Sequence, residues 1–173
     1  MNTFASPSNV KLTKGFGLIE LLIATLLIAT GLFALSDAVR ASFTLLDQTS
    51  RASRALALAS EGIDAVRTMR QLSWSSYIDP LAPDTPYYFV FTDRWSPTTI
   101  DPGAIDGIFT RTITLADVYR KTGDDRIVDV NASDAKKLDP GTKKVTVAVS
   151  WKSTTGGTAT RSLSTYVSDL LQN

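Results

Sequence analysis

Hydrophobic positions crowd into one stretch near the start of the chain. From Phe16 to Leu35, "FGLIELLIATLLIATGLFAL", twenty consecutive residues carry a single charge, Glu20. At the rise of an α-helix, twenty residues span about 30 Å, the hydrocarbon thickness of a bilayer. Lys11 and Lys14 stand before this run, whereas Asp37 and Arg40 follow it. That asymmetry predicts a single membrane-spanning helix with its N-terminus in the cytoplasm and the remainder exported.

The helical pattern continues beyond the apolar run. Between Ser36 and Leu72 there is no proline, and alanine, leucine and arginine abound, all good helix formers. Leu56, Ala59, Ile63 and Val66 recur at spacings of 3, 4 and 3, which draws an apolar stripe along one face. Asp47 with Arg51 and Asp64 with Arg67 fall at ion-pairing distances on a helix surface. Gly62 interrupts this pattern at a cost of roughly 1 kcal/mol, so it marks a place where another element comes close. One helix from Phe16 to about Leu72 is expected, apolar all round in residues 16–36 and amphipathic in residues 37–72.

Then the grammar changes. "DPLAPDTP", residues 79–86, has three prolines in eight positions and cannot continue a helix. Strand candidates follow at 87–92, 108–115, 126–130, 143–151 and 159–167. The clearest is 143–151, where Val145, Val147, Val149 and Trp151 alternate with Thr146, Ala148 and Ser150. Gly156 and Gly157 predict a hairpin between the last two strands. The expected fold class is α+β: a long N-terminal helix whose second half covers an antiparallel sheet formed by residues 73–173. Trp74, Trp95 and Trp151 are expected in the core or between helix and sheet.

Composition narrows the chemistry. The chain has 173 residues, no cysteine and no histidine. Disulfides, zinc–thiolate sites, cysteine nucleophiles and imidazole bases are therefore excluded. Net charge is +1, and without the two leader lysines 16 basic residues face 17 acidic ones, so no overall charge argues for nucleic acid. The lysine pairs 136–137 and 143–144 are expected on a solvated surface among interspersed acids.

Glu20 now stands out. A carboxylate in an apolar helix costs roughly 2.5–3.5 kcal/mol on permissive insertion scales and calls for a partner. The local pattern is a basic residue, Gly15, Phe16, three further residues, Glu20, and then the apolar run. It resembles the prepilin-type signal of type IV pilins and of the pseudopilins of type II secretion. The resemblance implies cleavage after Gly15 by a prepilin peptidase, with residues 1–15 as the leader, and N-methylation of Phe16 by the same enzyme. It implies that Glu20 is needed for assembly with other pilin subunits and the pilus assembly machinery. It also implies a single-pass precursor in the inner membrane and a cell-surface filament afterwards. The motif covers about twenty residues, and the helix-then-sheet order extends the likeness to the whole chain. Asp37 stands where many major type IVa pilins have proline, and a disulfide-closed loop is impossible. "LLIATGLFAL" with Gly31, and "ASEGIDAVR", are more like minor pilins of the pilus modification type. Gly31 also suits close packing between transmembrane helices.

The cleavage gives the acid a partner of its own. The new α-amine of Phe16, or that of a neighbouring subunit, can neutralise Glu20 when helices bundle side by side. The expectation is a non-enzymatic structural subunit. The alternatives are a type II secretion pseudopilin, or a membrane-anchored exported binding domain that never polymerises. An ordinary secretory signal peptide fits poorly, because the apolar run exceeds the usual length of about 7–15 residues and contains an acid.

Other motifs carry less. "TGDDRIVDVNASD" holds Asp124, Asp125, Asp129 and Asp134, and the pseudopilin likeness makes it a calcium candidate. Asp129, Asn131 and Ser133 have the spacing of an EF-hand start, but Asp134 occupies the glycine position and Pro140 the glutamate position. A solvated acidic turn is the expectation, with no cofactor. "KTG" at Lys121–Gly123 and S-x-x-K at Ser133–Lys136 occur in the wrong order for a serine β-lactamase-type site and without S-D-N.

Overall fold

A computed structural model describes residue 15, residues 17–154 and residues 156–169. Residues 1–14 of the leader, Phe16, Thr155 and the last four residues lie outside the described residues. The chain divides into two compact units, one ending at Leu45 and the other beginning at Leu46.

Helix α1, Leu18–Leu72, is 55 residues long and passes through both. In the first unit it is the only regular element among the described residues. Its apolar side chains there are open, from Leu18 and Ile19 through Leu35.

In the second unit α1 becomes a packed helix. Ala55, Leu58, Ala59, Gly62, Ile63, Ala65, Val66 and Met69 are buried along it. Leu56, expected within the stripe, is instead 39% exposed. The buried arc is centred one position away from it and draws on small alanines whose burial the spacing of large residues does not reveal. The Asp47–Arg51 and Asp64–Arg67 pairs form at 2.9 Å and 3.0 Å.

The helix stops where Ser73 turns extended. Ser73 Oγ accepts the Ser76 N–H at 3.2 Å and so caps a single turn, α2, Trp74–Tyr77. Six strands follow: β1 Tyr88–Phe91, β2 Trp95–Thr98, β3 Thr110–Lys121, β4 Ile127–Val128, β5 Lys136–Lys152 and β6 Thr158–Ser168. β1 and β2 form a two-stranded ribbon, and the others an antiparallel sheet in the order β4-β3-β5-β6. The α+β class is as expected.

The core lies between α1 and one face of this sheet. Ile113 and Leu115 of β3 join Val145, Val147, Val149 and Trp151 of β5, and the buried residues of α1 complete the layer. Gly62 is where the layers come closest. A Cβ there would stand 2.8 Å from Val147 Cγ1 and 3.3 Å from Arg111 Cδ. Trp74 and Trp151 are buried, and Trp95 is half-buried with its ring edge-on to Phe91.

Several boundaries differ from the sequence expectation for physical reasons. β3 runs on to Lys121 and β5 begins at Lys136, because the register shifts between Asp117 and Val118. Pro140 and Gly141 sit in that irregularity, where a missing N–H does no harm to the ladder. β2 contains Pro97, tolerated because its ribbon has only two strands. Lys137 and Lys144 are exposed as expected, but the other two lysines are less solvated. Lys143 is buried and pairs with Asp117 at 2.6 Å, while Lys136 Nζ caps the carbonyls of Val130 at 2.5 Å and Ala132 at 2.6 Å.

Candidate functional site

The first unit carries the residues on which the sequence places function. Gly15 is exposed and Phe16 is outside the described residues. Gly17 starts the helix: its carbonyl accepts the Glu20 N–H at 3.0 Å and the Leu21 N–H at 3.1 Å. Glu20 therefore occupies the first turn, where a negative charge complements the unpaired N–H groups and the helix dipole. That explains how the helix tolerates the acid at this position, although it does not neutralise it.

The other polar side chains of the apolar run are satisfied within the helix. Thr25 Oγ1 donates to the Leu22 carbonyl at 2.9 Å, Thr30 Oγ1 to those of Leu26 and Leu27 at 3.0 Å, and Ser36 Oγ to Leu32 at 2.9 Å. Hydroxyls folded back on the previous turn hide their polarity from an apolar medium. Among the described residues no hydrogen bond or ion pair holds the Glu20 carboxylate. Among the described residues of this segment, Glu20 is the polar group that has no partner.

Gly31 lies eleven residues, or about three turns, beyond Glu20, so the two act at different levels of the helix. Nothing stands within 4 Å of the Cβ it lacks. Exposed apolar positions also continue past Ser36. Val39, Phe43 and Leu46, at spacings of 4 and 3, are 46%, 68% and 65% exposed. They share one helix face and were not singled out in the sequence, because Arg40 lies among them and Asp37 and Asp47 flank them. Their signal is the spacing alone. Among the described residues α1 is the one helix long and apolar enough to cross a membrane, which makes it a candidate membrane anchor.

The four aspartates of the calcium candidate do not converge. Asp124 pairs with Arg126 at 2.7 Å, Asp125 with Lys137 at 2.8 Å and Asp134 with Lys121 at 2.7 Å. Asp129 accepts the Asn131 N–H at 2.8 Å in a tight turn. The Arg126 backbone N–H, reinforced by its guanidinium, holds the Asp124 carboxyl below the usual range, and the hydrogen bond from Lys121 does the same for Asp134. Among the described residues no group of three acids is placed to hold a metal ion. Each acid spends its charge on a neighbouring cation or N–H instead.

In the second unit a buried polar node joins helix to sheet. Arg111, 5% exposed, donates to the Leu58 carbonyl at 3.1 Å and to Glu61 Oε1 at 3.0 Å, and its guanidinium lies 5.5 Å from the Trp95 ring centre. This ties α1, β3 and β2 together, and every partner it has is structural.

An α+β chain with a long, apolar N-terminal helix as candidate membrane anchor is the class these features define. No family model, curated protein or solved structure matches the chain.

Proposed function

We propose that the chain is a structural subunit of a type IV pilus-like filament, of the minor pilin kind, and not an enzyme. It is inserted in the inner membrane with its N-terminus in the cytoplasm. A prepilin peptidase cuts after Gly15 and N-methylates Phe16. The subunit then leaves the membrane for a cell-surface filament, handed over by the pilus assembly machinery to other pilin subunits. Helix bundling replaces the lipid contacts of the exposed apolar residues of α1, and the sheet unit faces outward.

The observation that carries this reading is Glu20. Every hydroxyl near it on the helix closes on the backbone, yet the costly carboxylate lacks a partner among the described residues. Cleavage supplies one, the α-amine of Phe16 on an adjacent subunit, and the pair sets the axial register. An unpaired amine or acid left among apolar helices costs about 3–5 kcal/mol, so misaligned subunits are rejected.

The test is Glu20→Leu in the native host. Membrane insertion and cleavage after Gly15 should proceed as in the parent. Incorporation into sheared filaments should fall by about a hundredfold or more, the equivalent of leaving one member of a buried ion pair unpaired. Parental incorporation of the variant would remove the basis of the proposal.

A further inference from the structure

The sheet of the second unit has two unlike edges. On the β4 side β3 is covered: the Tyr87 and Ile113 N–H groups exchange bonds with each other's carbonyls at 2.8 Å, and the Asp84 N–H reaches the Leu115 carbonyl at 2.7 Å. On the other side stands β6, Thr158–Ser168, eleven residues long and about 37 Å in extent. Among the described residues nothing pairs with its outer side. Of the usual guards, a single one is present there, the inward-facing charge of Arg161. β6 contains no proline and no lysine, and its register with β5 is unbroken from Thr142↔Ser168 to Lys152↔Thr158.

The register says which backbone groups point outward. Bonds from Ser153 N to Gly157 O at 3.1 Å and from Asp169 N to Gly141 O at 2.9 Å extend that same register at both ends. Hydrogen-bonded pairs in an antiparallel ladder alternate, so the odd-numbered residues of β6 bond to β5. The N–H and C=O groups of Thr158, Thr160, Ser162, Ser164, Tyr166 and Ser168 therefore face away from the sheet.

The side chains on the core face of β6 define what would fit. Ala159 and Leu163 are only partly buried, although their β5 partners Trp151 and Val147 are sealed in. Between them Arg161 is exposed, and among the described residues its guanidinium reaches only the neighbouring Thr160 carbonyl, at 3.2 Å. A strand laid on this edge would meet these odd-numbered residues in non-hydrogen-bonded pairs, where facing side chains are closest. It would complete the burial of Ala159 and Leu163 and place one side chain directly opposite Arg161.

We propose that the outer edge of β6 receives an extended segment of a different protein, one with the alternation apolar-x-acidic-x-apolar, its acid opposite Arg161. A second copy's β6 cannot take this place, since Thr158–Ser168 contains no carboxylate. Backbone pairing supplies the affinity and the Arg161 ion pair sets the register.

Two blocked heptapeptides serve as probes: Thr-Val-Thr-Glu-Thr-Val-Thr and its counterpart with lysine in place of glutamate. Each is titrated against the full chain in detergent micelles, by fluorescence anisotropy and amide hydrogen exchange. The glutamate peptide should bind about three- to tenfold more tightly, the range expected when a cross-strand attraction replaces a repulsion. It should slow exchange at Thr158, Thr160, Ser162 and Ser164, the outward-facing residues that seven residues centred on Arg161 can reach. Arg161→Glu should reverse the preference between the two peptides. Ser162→Pro removes an outward N–H without touching the β5 ladder, so binding should be lost while the odd-numbered amides of β6 stay protected. Equal binding of the two peptides, no binding of either, an unreversed preference in Arg161→Glu, or binding retained by Ser162→Pro would each overturn the assignment.

Discussion

Arg111, Val149 and Arg161 form one cross-strand row on the core face of the sheet, yet one arginine is sealed in and the other is open. Arg111 is tolerated because a helix carbonyl, a carboxylate and an aromatic face surround it. Its truncation to alanine should cost about 2–4 kcal/mol in denaturant unfolding, combining a cavity with the loss of charged hydrogen bonds. Glu61 is half exposed, so Glu61→Gln should cost less than about 1 kcal/mol. Equal losses for the two variants would contradict this account of the node. Asp139 offers a pH test. Burial works to raise its carboxyl, but hydrogen bonds from Arg120 and Thr142, the Arg120 charge and the Gly141 N–H together outweigh it and leave the folded value below 3.8. A depressed acid stabilises the fold above its unfolded value and loses that contribution as pH falls through the folded one. The stability difference between the parent and Asp139→Asn should therefore be full at pH 6 and shrink as pH drops below about 4.

At the scale of elements, the two glycines of α1 separate cleanly. Gly62→Ala gains up to about 1 kcal/mol of helix propensity but drives a methyl group into Val147, a stiff, fully buried neighbour. Overpacking of this kind costs about 1–3 kcal/mol, so the variant should melt at a lower temperature than the parent. Gly31→Ala meets nothing within 4 Å in the isolated chain and should leave thermal unfolding of the sheet unit unchanged. On the filament reading, any defect it causes should show only in incorporation. The long helix and the β5 strand were readable because each repeats one period for many residues: 55 residues without proline in α1, and four alternating large residues in Val145–Trp151. What escaped was decided by contacts far away in sequence. The extension of β3 and β5 depends on their mutual bulge, β2 depends on having a single partner for a strand with a proline, and Lys143 is buried because Asp117 lies across the ladder. The candidate site was readable to a different degree. Glu20 announces itself as the single charge in an apolar run, whereas the open face of Val39, Phe43 and Leu46 is masked by Arg40 among them and the acids that flank them.

For the whole molecule, the two units divide the physical work. The sheet unit buries its own core, so its stability needs no neighbour. The first unit leaves nearly all its large apolar side chains open, and these require a bilayer or other helices around them. The filament reading joins the two through one chemical event, the exposure of an α-amine four residues before Glu20. Mass spectrometry of the mature N-terminus, on protein purified from its native membrane or filaments, tests that event directly. A chain starting at Phe16 and carrying one added methyl group is the predicted species. An intact Met1, or a cleavage near Ala38, would contradict the account.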